Sequence, residues 1–322
     1  MHTDRVSRRG WLLFGALSVL WGIPYLLIKV AVEVLEPATL VFARTALAGL
    51  ALLPIALRGG HLRGLWAKWP WVLLFALAEI AGPWILLGYA EQQLSSSLTA
   101  LLLATIPSVA LIGARLVGIE RQIRGRRWAG LALGLCGVAA IAGLDLGAGD
   151  LWAGVAVLFV AIGYATAPLV VTLKLGGASG IGVTTAAMLI NAVLYLPYAV
   201  WRHPPVSAVP GKVWLSVVLL GLLCGAVAFI VFFALVGEVG PARTSVITYL
   251  NPVVAAFAGV LVLGESVTAG LLVGFPLVLL GSVLATSRSR PAAEEGEPPS
   301  GQGDQRPVTR SADPAASDPR PG

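Results

Sequence analysis

Charge is what this chain has least of. Only 12% of its 322 residues are Asp, Glu, Lys or Arg, while 57% are hydrophobic. A soluble domain is nearer a quarter charged and half apolar, so water is the wrong solvent for this composition. Histidine is almost missing: His2, His61 and His203 fall in predicted tails or loops, which excludes an intramembrane metal cluster. The two cysteines, Cys136 and Cys224, lie inside apolar runs and read as packed free thiols, not a disulfide. No G-x-x-x-x-G-K-[ST] occurs, so the chain carries no ATPase motor of its own. No G-x-S-x-G or comparable nucleophile motif occurs either, and no acid/base pair gathers at one interface. These absences argue against an enzyme and call for no cofactor and no metal. The net charge of +6 reflects where arginines sit relative to a membrane and does not point to nucleic acid.

What the chain has instead is long apolar runs. A spanning helix needs about 20 apolar residues, because each rises about 1.5 Å across a hydrocarbon core about 30 Å thick. Ten such runs cover 11–31, 37–57, 70–90, 96–117, 127–144, 151–173, 181–201, 213–236, 242–263 and 268–286. They are continuous, not alternating, so helices and not barrel strands are expected. Trp11, Trp69, Trp71, Trp128, Trp152, Trp201 and Trp214 fall near run ends, where indole prefers the interface. The first run is too long for a signal peptide and has no cleavage-like site after it, so it reads as a retained helix. Residues 1–10 form a short N-terminal tail. Residues 287–322, rich in Pro, Glu, Ser and Gly, read as a disordered tail.

One segment is written twice. ATIPSVALIGARLVGIE (104–120) and YLNPVVAAFAGVLVLGE (249–265) share a proline, a glutamate thirteen residues later and an apolar run between. The first runs on into RQIRGRR and the second into SVTAG. Ten spans with a cytoplasmic N-terminus explain the difference. The copies lie five helices apart and cross in opposite directions, so only the first ends in the cytoplasm, where arginine accumulates. With one residue lost in the second loop, the alignment extends so that Gly130 and Gly137 fall on Gly274 and Gly281. The chain thus reads as an all-α membrane protein of ten transmembrane helices in two inverted-topology five-helix repeats, 11–144 and 151–286. Both termini are expected on the cytoplasmic side of the cytoplasmic membrane. Inverted repeats are the build of many alternating-access transporters.

Five segments extend the reading: SVLWGIPYLLIK (18–29), FARTALAGLALLP (42–54), SSSLTALLLATIPSVALIGARLVGIE (95–120), GDLWAGVAVLFVAIGYA (149–165) and PARTSVITYLNPVVAAFAGVLVLGE (241–265). With the repeated P-x12-E they resemble the drug/metabolite transporter superfamily, namely ten-helix proteins of two EamA-type domains, over about residues 11–286. The resemblance implies helices 1–4 and 6–9 around a central cavity, with helices 5 and 10 peripheral. It also implies export or exchange of small organic solutes.

The candidate site residues follow from depth and chemistry. Glu79 sits near the middle of the third run, where a carboxylate is costly and normally faces a cavity or a partner. Pro83, four residues on, frees the Glu79 carbonyl. Two uses stand open for Glu79: a proton or amine site, or a structural pair. Arg44, at a place where the family commonly carries arginine, faces a substrate carboxylate, neutralises Glu79, or snorkels towards Glu33 or Glu91. Paired with Arg44, Glu79 is held ionised; unpaired, it is a proton carrier. Pro107 and Pro252 are matched helix-break candidates, with Thr248, Tyr249 and Asn251 adding polar groups beside the second. Asn191 either lines a cavity or joins helices. Trp21 and Trp84 lie too deep for interface duty, and either stack on a solute or fill space. Glu120 and Glu265 suggest a shared structural task, such as accepting from amides at the next helix start, with gating as the rival. Lys29 is expected to snorkel outwards to Glu33. GLALG (130–134) and GLLCG (221–225) let helices approach closely. The preferred function is proton-driven export of amino-acid-like or amphipathic metabolites, with lipid, a small-molecule substrate and protons as partners. The rivals are an uncoupled facilitator, exchanger or importer and, outside transport, a membrane-embedded signalling protein or enzyme.

Overall fold

A computed structural model describes residues 7–119, 125–145, 147, 150–202, 204–244 and 246–286. The expected disordered tail, Glu120 and the arginines of RQIR lie outside the described residues. Ten apolar helical runs follow one another, and no strand occurs among the described residues. Eight are long and apolar enough to cross a membrane: α1 Arg8–Ala31, α2 Pro37–Arg58, α3 Trp66–Gln93, α4 Ser96–Leu116, α5 Gly125–Asp145, α6 Leu151–Lys174, α7 Gly180–Arg202 and α8 Gly211–Val239. Two are shorter, α9 Ile247–Leu263 and α10 Ala269–Thr286. The first helix starts three residues earlier than expected because Ser7 caps it, its hydroxyl accepting from the Gly10 amide. A short turn, Pro241–Thr244, stands where the ninth run was expected to begin.

Several helices are irregular where they approach the centre. In α1, Pro24 restarts the helix after Gly22. In α4 the chain tightens at Ala104–Thr105, and Pro107 occupies the second position of the new segment. Its counterpart Pro252 corrects the expectation of a second break: it lies inside α9 and does not interrupt it. A single missing amide is tolerated in a membrane helix when neighbours satisfy the freed carbonyl. The largest departures are two wide turns of π type, Leu77–Ala81 in α3 and Leu219–Val227 in α8. Displaced by 145 residues, the first falls inside the second.

The packing pairs α2 with α7, α4 with α9 and α5 with α10, α3 with α6 and α1 with α8, and α4 with α6 and α1 with α9. Exchanging each helix for the one five places away maps these contacts onto one another, whereas the α4–α10 contact has no comparable α5–α9 counterpart. The α5–α10 contact is the most extensive, and the aligned glycines stand in its seam. A Cβ at Gly281 would lie 2.4 Å from the Gly134 amide nitrogen, and one at Gly130 2.4 Å from that of Ala285. One at Gly137 would lie 2.7 Å from Val278 Cγ2. The two helices run antiparallel at backbone contact, which only residues without side chains permit.

The ends of the bundle are tied by polar contacts. At one end the Ser7 hydroxyl donates to Glu238 (2.6 Å) and the Lys68 ammonium to the Gly176 carbonyl (2.7 Å). At the other, Lys212 pairs with Glu33 at 2.6 Å. That pair corrects the expected Lys29–Glu33 contact. Lys29 turns inwards and donates to the carbonyls of Glu91 (2.6 Å) and Leu94 (2.7 Å), closing off the end of α3. Between the ends, side chains such as Leu50, Phe159, Val193 and Leu261 stand exposed, as helices facing hydrocarbon require.

Candidate functional site at the wide turns

The middle of α3 is held open from outside. Within Leu77–Ala81 the Gly82 amide reaches back five residues to the Leu77 carbonyl, and Glu79 sits on this turn. A wide turn misaligns carbonyls, and α7 supplies donors for the flanking ones. The Asn191 side-chain amide donates to Ala76 (3.1 Å), and the Tyr195 hydroxyl to Ala81 (2.9 Å). Asn191 therefore joins helices, and its oxygen has no hydrogen-bond partner. On the other flank α6 presses in through Gly163, where a Cβ would meet the Ala78 carbonyl oxygen at 2.5 Å and the Pro83 ring at 2.7 Å. Pro83 thus forms part of a close helix contact. π-type turns occur most often at functional sites.

Arg44 of α2 faces this region from across the bundle. Its guanidinium carbon lies 3.6 Å from the centroid of the Trp84 ring, one turn beyond Glu79. Arg44 and Trp84 are both buried. A desolvated cation over indole is stabilised by about 2 kcal/mol, which offsets part of the cost of a charge at this depth. The Arg44 Nε has no hydrogen-bond partner, and among the described residues no carboxylate lies within ion-pair distance of it. The snorkelling alternative and the Arg44–Glu79 pair are both absent. Tyr164 of α6 lies near Trp84 and within electrostatic reach of Glu79, Arg44 and Tyr25. Cys224, on the wide turn of α8, completes the ring around Arg44. Gly221 and Gly225 bring that turn against Leu47 and Ala48 of α2. Arg44 and Cys224 are sealed, whereas Glu79, Tyr25 and Tyr164 keep partial accessibility deep in the bundle.

Sequence reasoning missed Tyr25 and Tyr164. They stand in GIPY and GYA, and a tyrosine beside a glycine or proline deep in an apolar run was the available signal. Trp21 packs on Phe229 and Phe232 at 5.6 and 5.1 Å, a space-filling aromatic stack. The residues around Pro252 do not join the Arg44 cluster. Tyr249 donates to the Ser282 carbonyl of α10 (3.0 Å), while Ser282 donates to the Ala104 carbonyl at the break in α4. Asn251 lies beside Gly22, near the restart of α1, with its side-chain oxygen unpartnered. Thr248 is partly buried on α9.

Glu265 caps a helix start, though not that of the helix that follows it. It accepts from the amides of Ser96 (2.7 Å) and Ser97 (3.0 Å) and from the Ser97 hydroxyl (2.5 Å), capping α4, not the adjacent α10. Gly264, at φ 67°, makes the left-handed turn that swings it back over α9. Burial pushes the Glu265 carboxyl up, yet the Ser97 and Ser96 hydrogen bonds outweigh it and hold it below the usual carboxylate range. Asp145 plays the matching part for α10, accepting from Thr268 (2.6 Å) and the Gly270 amide (3.0 Å).

Among the described residues, an all-helical bundle with eight helices able to cross a membrane and sparse charged groups turned inwards is the build of a multi-pass membrane protein. The EamA-like transporter family matches residues 8–143 and 149–287, and the chain belongs to that family. It is 28% identical over 285 residues to the inner membrane transporter YedA of Escherichia coli (strain K12), covering 85% of this chain and 90% of that one. It is 25% identical to the transporter YvbV of Bacillus subtilis (strain 168), over 87% and 92% of the two chains. With a probable terminal-alkyne amino-acid exporter of Streptantibioticus cattleyicolor it shares 26% identity, over 92% and 99%. A solved crystal structure superposes with a TM-score of 0.62 at 19% identity, covering 86% of this chain and 97% of that one, and supports the fold alone. The protein is a multi-pass membrane transporter, and its partners are the bilayer and a small-molecule substrate.

Proposed function

We propose that the protein exports small organic metabolites, amino-acid-like or amphipathic, by alternating access between two inverted halves, 11–144 and 151–286, that together make ten spans. The observation that carries this reading is the two ionisable groups left without an ion-pair partner at the centre. Arg44 stacks on Trp84 with Nε unpartnered, and Glu79 stands on the neighbouring turn outside ion-pair distance. Such a centre suits a solute with a carboxylate for Arg44 and an ammonium for Glu79. The name of the Streptantibioticus relative agrees with that class. The exchange symmetry of the larger helix contacts and the glycine seam support the repeat. A cytoplasmic N-terminus accounts for the arginines expected on one side.

Glu79 also supplies the coupling step, taking a proton when the substrate amine is absent. The rival is an uncoupled exchanger in which Glu79 only shapes the wide turn, and transport measured against an imposed pH gradient separates the two. The primary test is mass spectrometry of extracellular metabolites from cells making wild type, Glu79→Gln, Arg44→Gln or no transporter, at matched membrane levels. A compound enriched outside by wild type and by neither variant identifies a substrate and its two anchors. Enrichment by all three proteins removes both residues from the mechanism. No enrichment by wild type refutes export of any metabolite the cells make.

A further inference from the structure

A second buried carboxyl group lies outside the Arg44 cluster, at the end of α3. Glu91 is fully buried, and neither carboxyl oxygen has a hydrogen-bond partner. Lys29 is the cation that reaches Glu91, yet its ammonium is spent on the backbone carbonyls of Glu91 and Leu94. Among the described residues, the other titratable groups that reach Glu91 are Tyr25 of α1 and Glu265, from between α9 and α10. Asp145 and Asp150, with Glu265, line the 330 Å³ cleft beyond them.

We propose that Glu91 is a proton-binding site sealed behind the Glu265 clasp, separate from the Arg44–Glu79 centre. An ionised carboxylate in a dry pocket without a donor is the arrangement proteins avoid, whereas a protonated one is neutral and can stay. The clasp is what keeps the pocket dry. Glu265 holds the start of α4 to the end of α9 through Ser96 and Ser97, and the cleft lies on its far side. Lifting the α9–α10 segment off Ser96–Ser97 exposes Glu91 to that cleft, and the proton leaves towards it. Lys29 is then free to turn from the carbonyls to the carboxylate. The link between proton release and opening of this end rests on the transport reading; the protonation of Glu91 in the closed protein does not.

Infrared spectroscopy of the purified protein in lipid nanodiscs at neutral pH tests this without any substrate. Glu79→Gln serves as background, so that a protonated Glu79 does not contribute. A carboxylic-acid C=O band should be present in Glu79→Gln and absent in Glu79→Gln/Glu91→Gln. A band of equal intensity in both, or none in either, overturns the proposal. If the double variant is not monodisperse, Glu79→Gln and Glu79→Gln/Ser97→Ala are compared after transfer to heavy water. The band should exchange slowly with the clasp intact and at least about tenfold faster with Ser97 removed, the equivalent of one 1.4 kcal/mol step in opening. Equal rates overturn the seal. A failed export assay leaves these outcomes unaffected, so the two readings fall separately.

Discussion

Gly163→Ala adds one methyl group where α6 meets the wide turn of α3. The added Cβ would stand 2.5 Å from the Ala78 carbonyl oxygen and 2.7 Å from the Pro83 ring. Ordinary contact begins at 3.4 Å, so the first gap is short by about 0.9 Å. Neither neighbour is the free end of a flexible side chain, so α6 has to move off or the turn has to close. Overpacking of this kind costs about 1–3 kcal/mol. The strain falls on the turn carrying Glu79 and on the backbone next to Tyr164, so transport should drop about 5- to 150-fold, the range those energies span. A useful comparison is Gly281→Ala in the α5–α10 seam, whose Cβ would lie 2.4 Å from the Gly134 nitrogen. It carries a similar stability cost but lies away from the Arg44 cluster. The assay pairs thermal unfolding in detergent with initial export rates at matched expression. Both variants should lose thermal stability, and only Gly163→Ala should lose most of its rate per folded molecule. Equal rate losses would refute the claim that Gly163 acts through the site. An unchanged melting curve for Gly163→Ala would refute the close contact itself.

Glu265→Gln should destabilise the protein by about 0.5–2 kcal/mol at neutral pH, as loss of a helix cap does. The folded carboxyl titrates below its unfolded value, so this contribution is complete above the unfolded value near 4.3. It is lost as pH falls through the folded one. Unfolding curves of wild type and variant should therefore converge as pH is lowered below about 4, and a gap that persists or widens there would contradict the clasp. Tyr195→Phe removes the donor to Ala81 on the wide turn, and about 0.6 kcal/mol of stability with it, up to about 1.7. Thermal unfolding reads that loss, and a variant as stable as wild type would mean the turn needs no support from α7.

Depth along the bundle was legible in the order of residues alone. Counting at about 1.5 Å per residue puts Glu79 mid-span and Glu265 at an end, whatever the helices pack against. The all-helical class, the apolar runs and the aligned glycines follow from the same arithmetic and from the solvent. Direction around each helix was not legible. A side chain facing lipid and one facing another helix are equally apolar, so no periodic pattern marks the inner face. For that reason Lys29 turned inwards instead of meeting Glu33, and Asn191 reached a carbonyl of α3. Tyr25 and Tyr164 could not be seen to converge on Arg44 and Glu79. The wide turns were hidden as well, since Leu77–Ala81 and Leu219–Val227 carry no mark in residue type that separates them from regular helix. Pro107 and Pro252 match in sequence, yet only the first stands at a break. Composition and spacing thus determined the solvent, the helices and the depth of each charge. Tertiary packing decided which charges meet, because in a membrane a lone polar group takes whichever partner the neighbouring helices bring within reach.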